Sequence, residues 1–362
     1  MMEIVRVELD ERSYEVMVGQ GLIGQIGELV NNLSLGNSCA LITHESLFEL
    51  FGDKIISSLR QRRLRVYPIF VPEGEGSKSL EWAERIYQVM MDSGLDRNSF
   101  VIALGGGVVG DLAGFVAGTF MRGIDFIQVP TTLLAQVDAS IGGKTGVNLA
   151  SGKNLVGVFH QPKLVVIDVD VLQRLSSEEF RSGLGEIIKC GVIKDAELFD
   201  FMEKNHKKVL ARDPQALQWM IQRSCSVKAS VVSADEREAG LRAILNYGHT
   251  IGHALEAATN YQMYKHGFAV SIGMACAGWI ANQRGFFRDD EFKRHLEVLK
   301  RYDLPVSYKR PVPNRVYPYL WADKKKKQGT LAFILPKKIG EVFVTRDVTE
   351  KMIRDTLKKF HR

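Results

Sequence analysis

Residues 4–9 and 14–18 alternate apolar and polar side chains on either side of Asp10-Glu-Arg-Ser13, a pattern that predicts an antiparallel hairpin. The period then changes. Segments 22–33, 46–60 and 79–91 carry apolar positions at helical spacing, and the short apolar runs 39–43, 65–71, 100–104, 124–129 and 163–169 read as buried strands, with an apolar helix at 112–120. Strands alternating with helices predict a parallel sheet with helices on both faces. Strand 163–169 is the last of this series. From Ser176-Ser-Glu-Glu179 onward, where Ser176 or Ser177 can cap a helix with Glu179 in its first turn, the pattern is almost wholly helical, with 180–192 and 268–280 as apolar segments. A small hairpin, 331–335 with 341–345, and an amphipathic helix, 348–360, close the chain. The expected architecture is α/β followed by all-α, with a boundary near residue 175 that separates 1–175 from 176–362.

A length of 362 residues is too great for one ordinary core and fits two domains, and 45% apolar with 25% charged residues suits a globular protein. The net charge of +6 admits nucleic acid, a membrane surface or small anions as partners. Because Lys and Arg are scattered, without interleaved aromatic platforms or a recognition motif, small anions are favoured over nucleic acid. Lys324-Lys-Lys-Lys327 is the one true charge run and reads as a solvated loop able to hold an anion. Cys39, Cys190, Cys225 and Cys276 have no C-x2-C spacing, so neither a disulfide framework nor a thiolate zinc site is expected. Reduced thiols and an N-terminus that alternates where a secretory signal would be continuously apolar point to the cytoplasm. The longest uncharged run, 268–283, is short and interrupted by glycine, so it reads as a buried helix and no membrane association is expected.

Chemistry concentrates in Arg242-Ala-Ile-Leu-Asn246-Tyr-Gly-His249-Thr-Ile-Gly-His253. His249 and His253, four apart, share one face if the segment is helical, and such a face can hold a metal or an anion. An isolated pair of this spacing is as often plain structural histidine. Here Lys228 and Arg242 precede it and His266 follows it, beside an apolar helix, and an anionic ligand gives such polar groups a reason to be there. Glu186 and Lys189, three apart, read as a helix salt pair; with His249 and His266, Glu186 can also complete a three-ligand zinc site with one position open. In the first half, Gly105-Gly106-Gly107-Val108-Val109-Gly110-Asp111 lies between strand and helix and is formally G-x-G-x-x-G, which lets backbone N–H groups approach a pyrophosphate. A third consecutive glycine and Asp111 set it apart from the ordinary dinucleotide turn. Thr131 and Thr132 follow Pro130 at the carboxyl end of a strand, where doubly wound sheets bind ligands. Gly142-Gly143-Lys144-Thr145 is like the end of a P-loop, but the first glycine would fall at 138, where Asp stands, which excludes a nucleoside triphosphatase. Lys144 and Lys153, on Gly-rich loops, suit a phosphate.

With these motifs in place, and with Glu73-Gly74-Glu75-Gly76-Ser77-Lys78, Gly152-Lys153-Asn154, His266-Gly267 and Asp323-Lys324-Lys325 beside them, nearly the whole chain resembles the 3-dehydroquinate synthase family of the sugar-phosphate cyclases. The resemblance implies a Rossmann-like nucleotide domain over 1–175 and a mainly helical metal- and substrate-binding domain over 176–362. It implies metal ligands at Glu186, His249 and His266, for zinc or cobalt, and moves His253 from ligand to phosphate contact. It implies NAD contacts at Glu73, Gly74, Glu75, Gly76, Ser77, Lys78, Gly106, Gly107, Val108, Val109, Gly110, Asp111, Thr131, Thr132, Lys144, Lys153 and the segment Val171, Leu172, Gln173, Arg174. Catalytic and substrate residues are implied at Asp138, Lys144, Lys153, Asn154, Lys189, Lys228, Arg242, Asn246, His253 and one of Lys324 or Lys325, with Arg122 reaching across a homodimer interface. The implied reaction oxidises a hydroxyl of a seven-carbon keto-acid phosphate, eliminates phosphate, restores the hydride, opens the ring and closes a carbocycle by an aldol step. The combination of Arg242, Asn246 and His253 favours this carboxylated substrate over those of cyclases that make deoxy-scyllo-inosose or epi-valiolone. The density of anion ligands likewise argues against a metal-dependent alcohol or glycerol dehydrogenase. Two positions depart from many relatives: His44 follows Thr43 where Asp is common at the adenosine ribose, and Phe268 replaces a Glu that could support a metal ligand.

Overall fold

The protein is described here by a computed structural model covering residues 2–33, 35–321 and 331–362. The chain divides into two compact units, Met1–Leu175 and Ser176–Arg362.

In the first unit, β1 (Glu3–Val7) and β2 (Tyr14–Gly19) form the antiparallel hairpin, with Glu3 opposite Val18 and Val7 opposite Tyr14. Then follow α1 (Ile26–Asn31, entered through the 3-10 turn Leu22–Gln25), β3 (Ser38–Thr43), α2 (Glu45–Gln61), β4 (Arg65–Phe70), α3 (Leu80–Asp92), β5 (Phe100–Gly105), α4 (Gly107–Thr119), β6 (Asp125–Pro130), a second hairpin of β7 (Lys144–Leu149) and β8 (Gly152–Phe159), and β9 (Leu164–Asp168). The main sheet has the order β1-β2-β9-β6-β5-β3-β4 and is parallel except for β1. Strands β3, β5 and β9 are buried at every position, as central strands covered on both faces must be, whereas β4 is an edge whose Pro68 withholds a ladder donor. Ile42, Val101, Ala103, Leu112, Val116 and Phe126 pack together under α4, and burying each large aliphatic or aromatic side chain contributes roughly 1.5–3 kcal/mol.

Two features depart from the sequence reading. Helix α4 starts at Gly107 instead of 112, so most of the glycine loop is the first turn of the helix. Glycine is a poor helix former, but a Cβ on Gly110 would lie 2.7 Å from Gln128 Oε1, and one on Gly114 would lie 2.4 Å from the Thr145 methyl, so close packing dictates the helix. Lys144 and Lys153 lie on the strands of the β7–β8 hairpin instead of on loops, and β8 alternates only weakly in burial, which hides it from periodicity.

The chain passes from β3 to β4 on one side and returns to β5 on the other, so the order reverses between β3 and β5. In open parallel sheets ligands settle outside the carboxyl ends of the strands at such a reversal. Thr43-His44 and Gly105-Gly106 occupy those ends.

The second unit comprises α5 (Ser177–Ile193), α6 (Ala196–Leu210), α7 (Pro214–Ala234), α8 (His249–Ala258), α9 (His266–Gln283), α10 (Asp289–Arg301), α11 (Pro313–Leu320), the hairpin of β10 (Phe333–Lys338) and β11 (Glu341–Thr345), and α12 (Glu350–Phe360). Ser176 caps α5 by accepting the Glu179 N–H at 3.3 Å. Helix α9 is buried almost all round, which its uncharged sequence permits. Among the described residues no helix is long and apolar enough to cross a membrane.

Candidate metal centre and anion-binding residues

Helices α5, α8 and α9 bring Glu186, His249 and His266 together, with one ligand atom from each lying within 4.8 Å of the others. The approach is close because glycines sit beside the site residues. A Cβ on Gly267, next to His266, would lie 1.8 Å from the Ser182 carbonyl oxygen of α5, and one on Gly185, next to Glu186, 2.8 Å from the Gly267 carbonyl. A Cβ on Gly273 would lie 1.8 Å from the carbonyl of Gly248, which precedes His249 and has φ +81. These backbones meet where no side chain fits.

Glu186 is 1% exposed. His249 Nε2 and His266 Nε2 lie 3.7 and 3.6 Å from its Oε1, and Lys189 forms an ion pair with its Oε2. Burial opposes its charge, but Lys189, His249 and His266 outweigh that and hold the carboxyl well below the ordinary range. Burial first, and the Lys189 charge second, push His249 well below its usual value. For His266 burial also works against the charged form, yet the hydrogen bonds and charges of Glu186 and Glu256 raise it to about 10. Neither oxygen of Glu186 has a well-formed hydrogen bond; Oε2 is paired with Lys189, and Oε1 faces the two imidazoles from within the core. One carboxylate oxygen and two imidazole nitrogens suit a divalent cation such as zinc, and three protein ligands leave a position open. The residues fit such an ion.

Each Nδ1 is engaged elsewhere: that of His249 with the Tyr247 carbonyl at 3.1 Å, that of His266 with Glu256. A second group, His253, Glu256 and His266, also has ligand atoms within 4.8 Å of one another. Neither group contains both His249 and His253, although the two rings share a face of α8 with centroids 5.1 Å apart.

Lys189 and Lys228 are buried on α5 and α7. Arg242, also buried, donates from Nη1 to the Glu236 carbonyl at 2.5 Å, and its N–H donates to Asp235, which also accepts from Ala239 and Gly240. Asn246 Nδ2 donates to Glu238 at 2.8 Å. Asp235 and Glu238 escaped the sequence reading, since Asp235-Glu-Arg-Glu238 looks like an ordinary charged loop; Glu256 escaped it for want of any local signal. Lys324 and Lys325 lie outside the described residues.

In the first unit the segments Glu73–Lys78, the glycine turn and the β7–β8 hairpin are tied by side chains. Lys78 Nζ donates to Asp111 Oδ2 and Asn154 Oδ1, both at 2.5 Å. Glu75 accepts from Asn148 at 2.7 Å and pairs with Lys153 at 3.4 Å. Burial would raise Glu75, but Asn148, Lys153 and Lys78 together hold it below the usual carboxylate range. Gly74 has φ +91, and Ser77 Oγ donates to its carbonyl, closing the turn that carries Gly76. Thr131 N–H donates to Gly105 O, fixing one strand end against the other, and Thr132 caps the next turn through Ala135 N–H. Val171–Arg174 lie in the 3-10 turn Val169–Arg174, capped by Asp168. Gly106 caps α4, with Gly107, Val108, Val109 and Gly110 in its first turn. Asp138 lies in the π-helical turn Ala135–Ala139, Lys144 opens β7, and Arg122 sits in the left-handed region at φ 71. A cavity of about 510 Å³ opens at the ends of β3 and β4, lined by His44, Ser46, Glu73, Phe70 and Trp82 among others. There Ser46 donates to Glu73 and lies 2.9 Å from His44 Nδ1.

Family models for the N-terminal and C-terminal parts of 3-dehydroquinate synthase match residues 68–182 and 183–326. A 3-dehydroquinate synthase of Thermodesulfovibrio yellowstonii is 45% identical over 359 residues, covering 98% of this chain and 99% of that one. Among solved structures, a 2-epi-5-epi-valiolone synthase from Streptomyces hygroscopicus subsp. jinggangensis 5008 with NAD+ and Zn2+ bound is similar at a TM-score of 0.88 and 29% identity, over 98% of each chain. A 2-deoxy-scyllo-inosose synthase complexed with carbaglucose-6-phosphate, NAD+ and Co2+ is similar at 0.87 and 25% identity, over 99% of this chain and 100% of that one.

Proposed function

The chain belongs to the 3-dehydroquinate synthase family, and from that premise we propose that it converts 3-deoxy-D-arabino-heptulosonate 7-phosphate to 3-dehydroquinate and inorganic phosphate. On this reading it is a carbocycle-forming lyase of the shikimate route to chorismate and the aromatic amino acids. The observation that most supports the reading is the convergence of Glu186, His249 and His266, in a chain matched by the family over both units.

When bound, a divalent cation (zinc or cobalt) supplies Lewis acidity toward adjacent substrate hydroxyls, and NAD supplies a transient hydride acceptor. Glu186 offsets the cation's charge, and His249 and His266 ligate through Nε2, since each Nδ1 is already engaged. Lys189 and Lys228 add buried positive charge, which favours anionic oxygens formed on the substrate. Arg242, braced by Glu236 and Asp235, presents its remaining donors to a carboxylate; Asn246, braced by Glu238, orients beside it. In the second unit His253 is the phosphate contact; in the first, Lys144, Lys153 and Asn154 are anion ligands and Asp138 a polar substrate residue. The segment Glu73–Lys78, the turn Gly106–Asp111, Thr131, Thr132 and Val171–Arg174 hold NAD, with the cavity at His44 and Glu73 receiving its adenosine end. The enzyme works as a cytoplasmic homodimer in which Arg122 of one protomer serves its partner's site; four buried cysteines outside any disulfide suit a reducing compartment.

The test is a phosphate-release assay with added NAD, before and after chelation. Release from the keto-acid phosphate, lost on chelation and absent with sedoheptulose 7-phosphate or glucose 6-phosphate, is the expected result. Net accumulation of NADH would instead indicate a dehydrogenase.

A further inference from the structure

His266 stands at the first turn of α9, where no side chain caps the helix and the positive end of the helix dipole disfavours a charged ring. Its backbone is fixed, because Gly267 N–H donates to Ser182 Oγ at 3.0 Å. Its ring needs a separate hold. Glu256 supplies one: Oε1 and Oε2 lie 3.3 and 3.4 Å from His266 Nδ1, while Nε2 of the same ring lies 3.6 Å from Glu186. Glu256 is 7% exposed and shares a face of α8 with His249, seven residues earlier, so one helix delivers both a ligand and the support of the other ligand. The two imidazoles are thus held differently, His249 by a neutral carbonyl and His266 by a carboxylate.

We propose that Glu256 is the positioning residue of the metal centre: it accepts the Nδ1 proton of His266, and so fixes the ring with Nε2 turned toward Glu186 and His249. The proposal rests on the reading that those three residues hold a divalent cation. A carboxylate on the far nitrogen both orients an imidazole and makes it a better donor, and loss of such a partner weakens metal binding about 10–100-fold. The other group that contains this residue, His253, Glu256 and His266, offers a competing role as ligands of a second cation. The two roles exclude each other, since a neutral imidazole has one donor and one acceptor nitrogen and cannot give Nδ1 to both a carboxylate and an ion.

Zinc affinity is to be measured by chelator competition on the full chain, together with ion stoichiometry, the absorption bands of the cobalt-loaded protein and the urea midpoint of the metal-free protein. Wild type is expected to bind one ion per chain; a wild type that binds none overturns the metal reading itself, independently of Glu256. Glu256→Gln is expected to weaken zinc about 10–100-fold and to shift the cobalt bands, with the metal-free midpoint little changed. Glu256→Asp is expected to recover part of the loss. Unchanged zinc affinity in Glu256→Gln overturns the proposal. So does a fall in the metal-free midpoint that accounts for the whole loss of affinity, which would mark a structural role, and so does a wild type with two ions of which Glu256→Gln loses one.

Discussion

In Met1–Leu175 the residues assigned to the cofactor sit on turns between parallel strands and helices, and the groups that tie them together, Glu75, Lys78, Asp111, Lys153 and Asn154, run from buried to half exposed. In Ser176–Arg362 the corresponding chemistry comes from side chains beneath the surface, with Glu186, Lys189, Lys228, Arg242 and His249 all buried. The first arrangement uses backbone N–H groups and a helix terminus, which cost little to desolvate because they are already polar and fixed. The second places ionisable groups in a medium where each ion loses several kcal/mol of hydration and regains it only from well-placed partners. A backbone site tolerates the loss of one side chain; a buried charge cluster does not.

That contrast can be broken first at Glu186. Glu186→Gln is expected to lower turnover by about a thousandfold or more and to abolish tight zinc binding, read in the phosphate-release assay and by chelator competition. Next comes Gly267→Ala, whose new Cβ would lie 1.8 Å from the Ser182 carbonyl; it should cost at least about 3 kcal/mol in urea unfolding of the helical unit, with zinc affinity falling alongside.

His295 sharpens the comparison in a different way. It is fully buried, with neither ring nitrogen hydrogen-bonded, against Tyr247 and Phe287, and burial lowers it to about 4. The unfolded chain binds this proton near the ordinary value of about 6.5, so stability is full above that pH and falls as pH drops toward 4. The loss from this residue is at most roughly 3 kcal/mol, and the difference in urea midpoints between wild type and His295→Leu should narrow in favour of the variant between pH 7 and pH 4.5. The smallest effect belongs to the first unit: Lys78→Met, which severs the link from Asp111 to Asn154, should weaken NAD by about tenfold in calorimetry and leave zinc affinity untouched. Equal damage to both affinities would erase the distinction drawn here.

The same contrast explains what could be read from the chain alone. Parallel strands and the glycine turn leave local marks, a short apolar run followed by closely spaced glycines, and the two-part α/β and helical architecture followed from them. The β7–β8 hairpin left little, because β7 buries a single large apolar residue, Val147, and β8 carries apolar side chains on both faces, Val156 and Val158 against the core and Leu155 and Phe159 exposed, so neither strand alternates cleanly. Periodicity suggested a His249–His253 pair, since both lie on one helix; joining His249 to Glu186 and His266 needs three helices to dock, which no local spacing encodes, so the residue types offered that trio as one option and the family resemblance singled it out. Glu256 stayed hidden for the same reason: it lies on α8, and only the docking of that helix against α9 brings its carboxylate beside His266 Nδ1.

Where Gly267 meets Ser182 and Gly273 meets Gly248, the crossings admit no side chain and therefore no graded adjustment. Substitution there displaces a whole helix or does nothing useful. On the proposed reading, any drift in metal affinity has to travel through positions set back from the crossings, Glu256 and Lys189 foremost, which makes those two the natural places to retune one member of the family against another.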